Sequence, residues 1–160
     1  VVPSSFIKLA EETGMIVPMG RWMLQHALGV HQRFQDVESD GDEDETPLRI
    51  SVNISSRQLL SDGEVEDLCR IVRDSGVPPE QVLFEITESL MVEEPEKVAE
   101  AMRHLRNQGI QIAADDFGTG YANLAFLNKF PLDVLKIDRS FITNMESDER
   151  SKKIVRTIVT

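Results

Sequence analysis

The sequence predicts an α/β fold in which a mostly parallel sheet is covered by helices. Three observations carry that reading. Four short runs rich in β-branched and apolar residues, "LRISVNIS" (48–55), "VLFEITES" (82–89), "IQIAADD" (110–116) and "DVLKID" (133–138), read as strands. Helical patterns lie between them, the clearest being "PEKVAEAMRHLRNQG", where Val98, Met102 and Leu105 recur at steps of four and three and Gly109 supplies a stop. With 41% hydrophobic residues in a chain of 160, there is enough apolar surface to build a packed core.

The first fifty residues keep the alternation, with a helix from about Ser5 to Thr13 ended by Gly14 and a longer one from about Met19 to Phe34. Trp22 and the neighbouring methionines read as core rather than as a stacking platform for bases. The acidic run "QDVESDGDEDETP" alternates Asp40, Asp42 and Asp44 in the manner of a calcium loop. Its sixth position is Glu45, where such a loop needs Gly, and its twelfth is Ser51, where it needs a bidentate Glu. It is therefore read as a solvated surface loop over about 36–47. The segment "EVEDLCRIVRDSG" reads as a helix with Cys69, the single cysteine, on its apolar side, so the thiol is expected to be buried and inert.

Spacing between the polar residues near the strand ends refines the fold. Asn53 and Glu85 are 32 residues apart, Glu85 and Asp115 are 30 apart, and Asp115 and Lys136 are 21 apart. A (β/α)8 barrel averages roughly 31 residues per unit, so the first two spacings fit and the third is a short unit. At that rate the chain covers about five of eight units, which leaves a piece of a barrel or an open doubly wound sheet.

Strand side chains alternate between faces, so parity assigns them. Val52, Phe84, Ile86, Ile112, Ala114, Leu135 and Ile137 fall on faces that can pack on helices. Asn53, Glu85, Asp115 and Lys136 fall on the other, and Asp116 stands at the strand-to-loop corner. A structural ion-pair network could also place charges there. Four polar groups at matched depth near the carboxyl ends of successive strands point instead to a site.

These donors suit Mg²⁺ or Mn²⁺ rather than zinc, and two such ions are the usual arrangement for in-line attack on a phosphodiester. Asp115 is read as bridging two ions and Asp116 as serving the second, with Lys136 holding the attacking water or the developing oxyanion. His26, His31 and His104 have no metal-pair spacing and read as ordinary helix residues. The "DFG" at 116–118 lacks the companion motifs of a kinase.

A net charge of -11 argues against contact with nucleic-acid polymers or an anionic membrane surface. No apolar run approaches the ~18 residues of a membrane span and no signal peptide is visible, so a cytoplasmic domain is expected. The chain opens on Val1 and stops at Thr160 inside an apolar pattern, so both ends are expected to continue in a longer protein.

Taken together, "VVPSSFIKLAEETGMI", "VNISSRQL", "LFEITES", "DDFGTGYANL" and "LKIDRSFI" resemble, in order and spacing, the EAL domains, cyclic di-GMP phosphodiesterases named for a Glu-Ala-Leu motif. The resemblance spans residues 1–160 and implies a (β/α)8 TIM-like barrel with one antiparallel strand, incomplete in this chain. It implies hydrolysis of cyclic di-GMP to linear pGpG with two Mg²⁺ or Mn²⁺ ions. By the same resemblance Asn53, Glu85, Asp115 and Asp116 are metal ligands, Lys136 contacts the catalytic water, and Glu88 steadies the loop after Asp116. That loop would also serve a homodimer, and sensory or GGDEF-type domains would be attached in the parent protein.

The Glu-Ala-Leu segment, with a glutamate ligand and a substrate-binding arginine, would precede Val1, and a further glutamate and a glutamine would follow Thr160. The isolated chain is accordingly expected to be inactive and to self-associate through exposed strand edges. The alternative within the same resemblance is a catalytically inactive EAL-like domain that acts as a cyclic di-GMP receptor or dimerisation module.

Overall fold

A computed structural model of the chain describes residues 3–38, 47–118, 127–143, 145 and 148–159. Helices α1 (Pro3–Thr13) and α2 (Ile16–Glu38) lead into strand β1 (Ile50–Asn53). Helices α3 (Ser56–Leu60) and α4 (Glu64–Ser75) follow, then β2 (Val82–Thr87), α5 (Glu88–Glu93) and α6 (Pro95–Asn107). The described chain continues through β3 (Gln111–Phe117), β4 (Val134–Ile137), α7 (Arg139–Thr143) and α8 (Glu149–Val159). Most of the acidic run and the loop after Gly118, with the dimer contact expected of it, lie outside the described residues.

The four strands are all parallel and stand in the order β1-β2-β3-β4. That order decides between the two architectures left open by spacing. A doubly wound sheet reverses direction at a switch point, whereas a barrel adds each new strand beside the last. The sheet is therefore a run of successive (β/α) units, and among the described residues it does not close.

Local chemistry explains where the helices begin and end. Ser55 caps α3 through a capping box, its side chain accepting from the Gln58 amide while the Gln58 side chain accepts from the Ser55 amide. Helix α6 starts on Pro95 and ends in a Schellman motif, with the Gly109 amide on the Arg106 carbonyl at 2.9 Å and the Ile110 amide on the Leu105 carbonyl at 3.3 Å. Gly109, at φ +88°, takes the left-handed conformation that the motif requires. Val65, Leu68, Cys69 and Val72 form the buried stripe of α4, and Val98, Met102 and Leu105 that of α6. These stripes pack on Phe84, Ile86, Ile112 and Ala114, so the helix-covered face of the sheet is dry. Cys69 is buried within it, and desolvation pushes its thiol up to about 11, where a reactive thiolate does not form.

Three expectations need correction. Trp22 is 60% exposed, and Met15 and Met23 are exposed with it. The buried stripe of α2 runs through Leu24, Leu28 and His31, and Trp22, two residues before Leu24, lies about 200° away around the helix. It stacks instead on His26, with ring centroids 5.2 Å apart. His31 is not an ordinary helix residue, because it is buried and its Nε2 meets the Leu48 carbonyl at 2.9 Å, fixing α2 to the approach of β1. Finally, "ES" at 88–89 does not continue β2 but opens α5 directly. No helix among the described residues is long and apolar enough to cross a membrane.

Replacing Phe84, which is fully buried, with Ala should lower the unfolding free energy by about 3–5 kcal/mol in urea denaturation. Trp22→Ala, at its exposed position, should change it by less than about 0.5 kcal/mol.

Candidate active site

The inner face of the sheet collects the polar residues. Asn53 and Glu85 are direct register partners on β1 and β2. Glu85 pairs with Ala113, and Ala113 with Val134, so Asp115 and Lys136 lie on the same face two residues further along their strands. The matched depth expected for all four is thus a step, with one pair of residues at each level.

Lys136 joins the two levels. Its ammonium donates to Glu85 Oε2 at 2.7 Å and lies 3.3 Å from Asp115 Oδ1. Glu85 is only 6% exposed. Burial alone would raise its pKa, but hydrogen bonds from Lys136 and Ser51 and the Lys136 charge outweigh burial and hold the carboxyl below its ordinary value. The same bond to Glu85, reinforced by Asp115, lifts the Lys136 pKa against the opposing effect of burial. Because 41% of the lysine side chain remains exposed, the pair lies between the weak surface limit and the strong buried one.

Asp116 is not at a corner beyond the strand, as parity suggested, but inside β3 with φ +54°. The β3–β4 register shifts there: Ala114 faces Leu135 and Phe117 faces Ile137, so Asp115 and Asp116 together oppose the single Lys136. This is a β-bulge. Asp tolerates the left-handed region better than most residues, which suits it to that position.

Two contacts pin the far side of the bulge. The Gly118 amide donates to Glu88 Oε2 at 2.8 Å, and Glu88 is buried at the start of α5. Phe141 of α7 lies so close to Gly118 that an added Cβ would stand 2.7 Å from its ring, and φ at Gly118 is +101°. Only glycine meets both conditions.

Sequence reasoning passed over Asp138. It shares a hydrogen bond with Asp116, which requires a proton on one carboxyl. Asp138 also accepts from the Ser140 amide at 2.8 Å and from the Ser140 hydroxyl, which pull its pKa down. Burial and then the charges of Asp115 and Asp138 raise the Asp116 pKa, so of the two carboxyls Asp116 is the one that takes up a proton more readily. The signal was present in "KIDRS", where Asp138 two residues before Ser140 is a capping pattern.

The whole chain, residues 1–160, matches the EAL domain family. The chain belongs to the EAL domain family. It is 33% identical over 159 residues to the cyclic di-GMP phosphodiesterase PdeR of Escherichia coli, covering 99% of this chain and 23% of that protein. A solved MucR phosphodiesterase in complex with c-di-GMP superposes with a TM-score of 0.85 at 32% identity, covering 99% of this chain and 62% of that one. The EAL enzyme Bd1971, solved with cAMP and cyclic di-GMP bound, gives 0.90 at 32% identity, covering 99% and 43%. The chain spans about a fifth of the curated relatives it matches, 21% of one from Azorhizobium caulinodans and 18% of one from Sinorhizobium fredii.

The EAL residues suit a divalent metal by chemistry. Asn53, Glu85, Asp115 and Asp116 offer only hard oxygen donors, and the like charges that raise Asp116 are the repulsion a cation would relieve. Among the described residues no three His, Cys, Asp or Glu side chains converge closely enough to hold an ion.

Two outcomes follow for the metal-free chain. Glu85 has a lowered folded pKa, so its contribution to stability is present above the ordinary carboxylate range and is lost as pH falls through the lower folded value. Urea melts of Glu85→Gln should therefore lack the part of the acid sensitivity that the native chain shows in that window. Asp116 has the opposite sign, its favourable contribution being lost as pH rises through the raised folded value. Asp116→Asn, whose amide donates to Asp138 as the protonated acid does, should raise the urea midpoint at neutral pH, and a lowered midpoint would contradict the charge assignment.

Proposed function

We propose that this chain is part of a cytoplasmic signalling phosphodiesterase that hydrolyses cyclic di-GMP to linear pGpG. In its parent protein it would form most of one EAL domain, alongside sensory or GGDEF-type domains. The observation that carries the reading is the β3 bulge, which sets two adjacent carboxylates against the one lysine that also holds the buried Glu85. Similarity over 99% of the chain to named cyclic di-GMP phosphodiesterases supports it.

Asn53, Glu85, Asp115 and Asp116 would hold two Mg²⁺ or Mn²⁺ ions, which supply a nucleophile at neutral pH and neutralise charge on the phosphodiester. Lys136 orients the attacking water from its place between Glu85 and Asp115, and its raised pKa keeps it protonated to offset the developing oxyanion. Glu88, through the Gly118 amide, fixes the backbone that carries Asp116, and with it the loop proposed to join two copies in a dimer.

In the parent protein, Glu85→Ala and Lys136→Ala should each lower kcat by about 100-fold to 1,000-fold when pGpG is followed by chromatography. Replacing Mg²⁺ with Ca²⁺ should inhibit, because the larger ion relaxes the geometry. Calorimetric binding of cyclic di-GMP without product in the native protein would establish a receptor instead. Undiminished turnover in either variant would remove that residue from the mechanism.

A further inference from the structure

Strand β4 is four residues long, and its own alternation holds Lys136 on the polar face only weakly. Val134, Leu135 and Ile137 are all apolar and all half-buried, and although Leu135 packs against the core, no residue of the strand is fully dry. A slip of one residue would turn Lys136 from the polar face to the helix-covered one. Its pairing with β3 is also short. Only Ala113 with Val134 and Ala114 with Leu135 precede the bulge, and only Phe117 with Ile137 follows it.

Asp133, immediately before β4, supplies what the ladder lacks. Its amide donates to the Ile112 carbonyl at 2.9 Å, and its own Oδ2 accepts from the Ile112 amide, also at 2.9 Å. One residue of the β4 entry thus takes both main-chain groups of one residue of β3. Oδ1 of the same carboxylate accepts from Arg106 Nη2 at 2.8 Å, tying the clamp to the last turn of α6. Ile112 is fully buried and held by the core, so it provides a fixed reference. From Asp133, clamped to that reference, Lys136 is three residues along the chain.

We propose that Asp133 is a positioning residue: it locks the β3–β4 register and so delivers Lys136 to Glu85 and Asp115. The side-chain bond to the Ile112 amide is the essential one, because the Arg106 side chain is 42% exposed and a pair with an exposed partner contributes little. The catalytic consequence rests on the role proposed above for Lys136, whereas the register consequence does not.

The test compares Asp133→Ala, Asp133→Asn and Arg106→Gln in the full protein, with two readouts. NMR reads the register directly, from amide contacts between Ala113 and Val134 and from hydrogen exchange at Ile112. Steady-state kinetics on cyclic di-GMP then separates kcat from KM. Asp133→Ala should lose the Ala113–Val134 contacts and speed Ile112 exchange about tenfold. It should also lower kcat by about 100-fold with little change in KM, as misplacement of a reacting group does.

Asp133→Asn keeps an oxygen that accepts from Ile112 and should restore all three measures, and Arg106→Gln should leave them near native. Native contacts and exchange in Asp133→Ala would overturn the proposal, as would equal damage in Asp133→Asn. If the native protein shows no turnover, the proposed function fails while the NMR result still decides the clamp.

Discussion

One extra residue in β3 governs the site. Had Ala114 through Phe117 paired with Leu135 through Ile137 without a bulge, strict alternation would have sent Asp115 and Asp116 to opposite faces of the sheet. The bulge sets both opposite Lys136, and the positive φ at Asp116 turns that carboxylate toward Asp138 rather than into the helix layer. Each surrounding contact holds this irregularity in place. Glu88 takes the Gly118 amide, Phe141 closes on the bare Cα of Gly118, and the Asp138 amide reaches the Phe117 carbonyl at 3.3 Å. Strained backbone persists where its surroundings over-determine it, and here they include groups from α5, from Asp138 just after β4, and from α7.

Charge is arranged around the same point. Hydrogen bonds from Lys136 and Ser51 hold the buried Glu85 carboxyl below its ordinary value, while burial and then the charges of Asp115 and Asp138 raise that of Asp116. Two carboxylates a short distance apart are therefore driven in opposite directions, a hallmark of sites that handle charge. Lys136 lies 3.3 Å from Asp115, while burial and the charges of Asp115 and Asp138 oppose the ionisation of Asp116. Binding a metal there would convert that repulsion into attraction.

Much of the fold was legible because its signals are local. Period-two alternation placed Phe84, Ile86, Ile112 and Ala114 on the covered face and Glu85, Asp115 and Lys136 on the other. Gly109 marked the end of α6, and the apolar stripe through Cys69 marked α4. What escaped was non-local. A bulge exists only relative to the partner strand, so no pattern within "QIAADDF" could reveal it. Glu88 was read into β2 because no turn residue separates "EIT" from "ESL", yet its side chain was needed beside Gly118. Trp22 was assigned to the core on residue type, whereas the orientation of α2 is set by Leu24, Leu28 and His31.

The central claim is that Asp115 and Asp116 act together as metal ligands on one bulge. Mn²⁺ titration of the full protein, followed by electron paramagnetic resonance in the presence of cyclic di-GMP, tests it most directly. Bound Mn²⁺ is expected in the native protein, with affinity falling about tenfold or more in Asp115→Asn and in Asp116→Asn, since each removes a charged ligand. Native affinity in both variants would contradict the account.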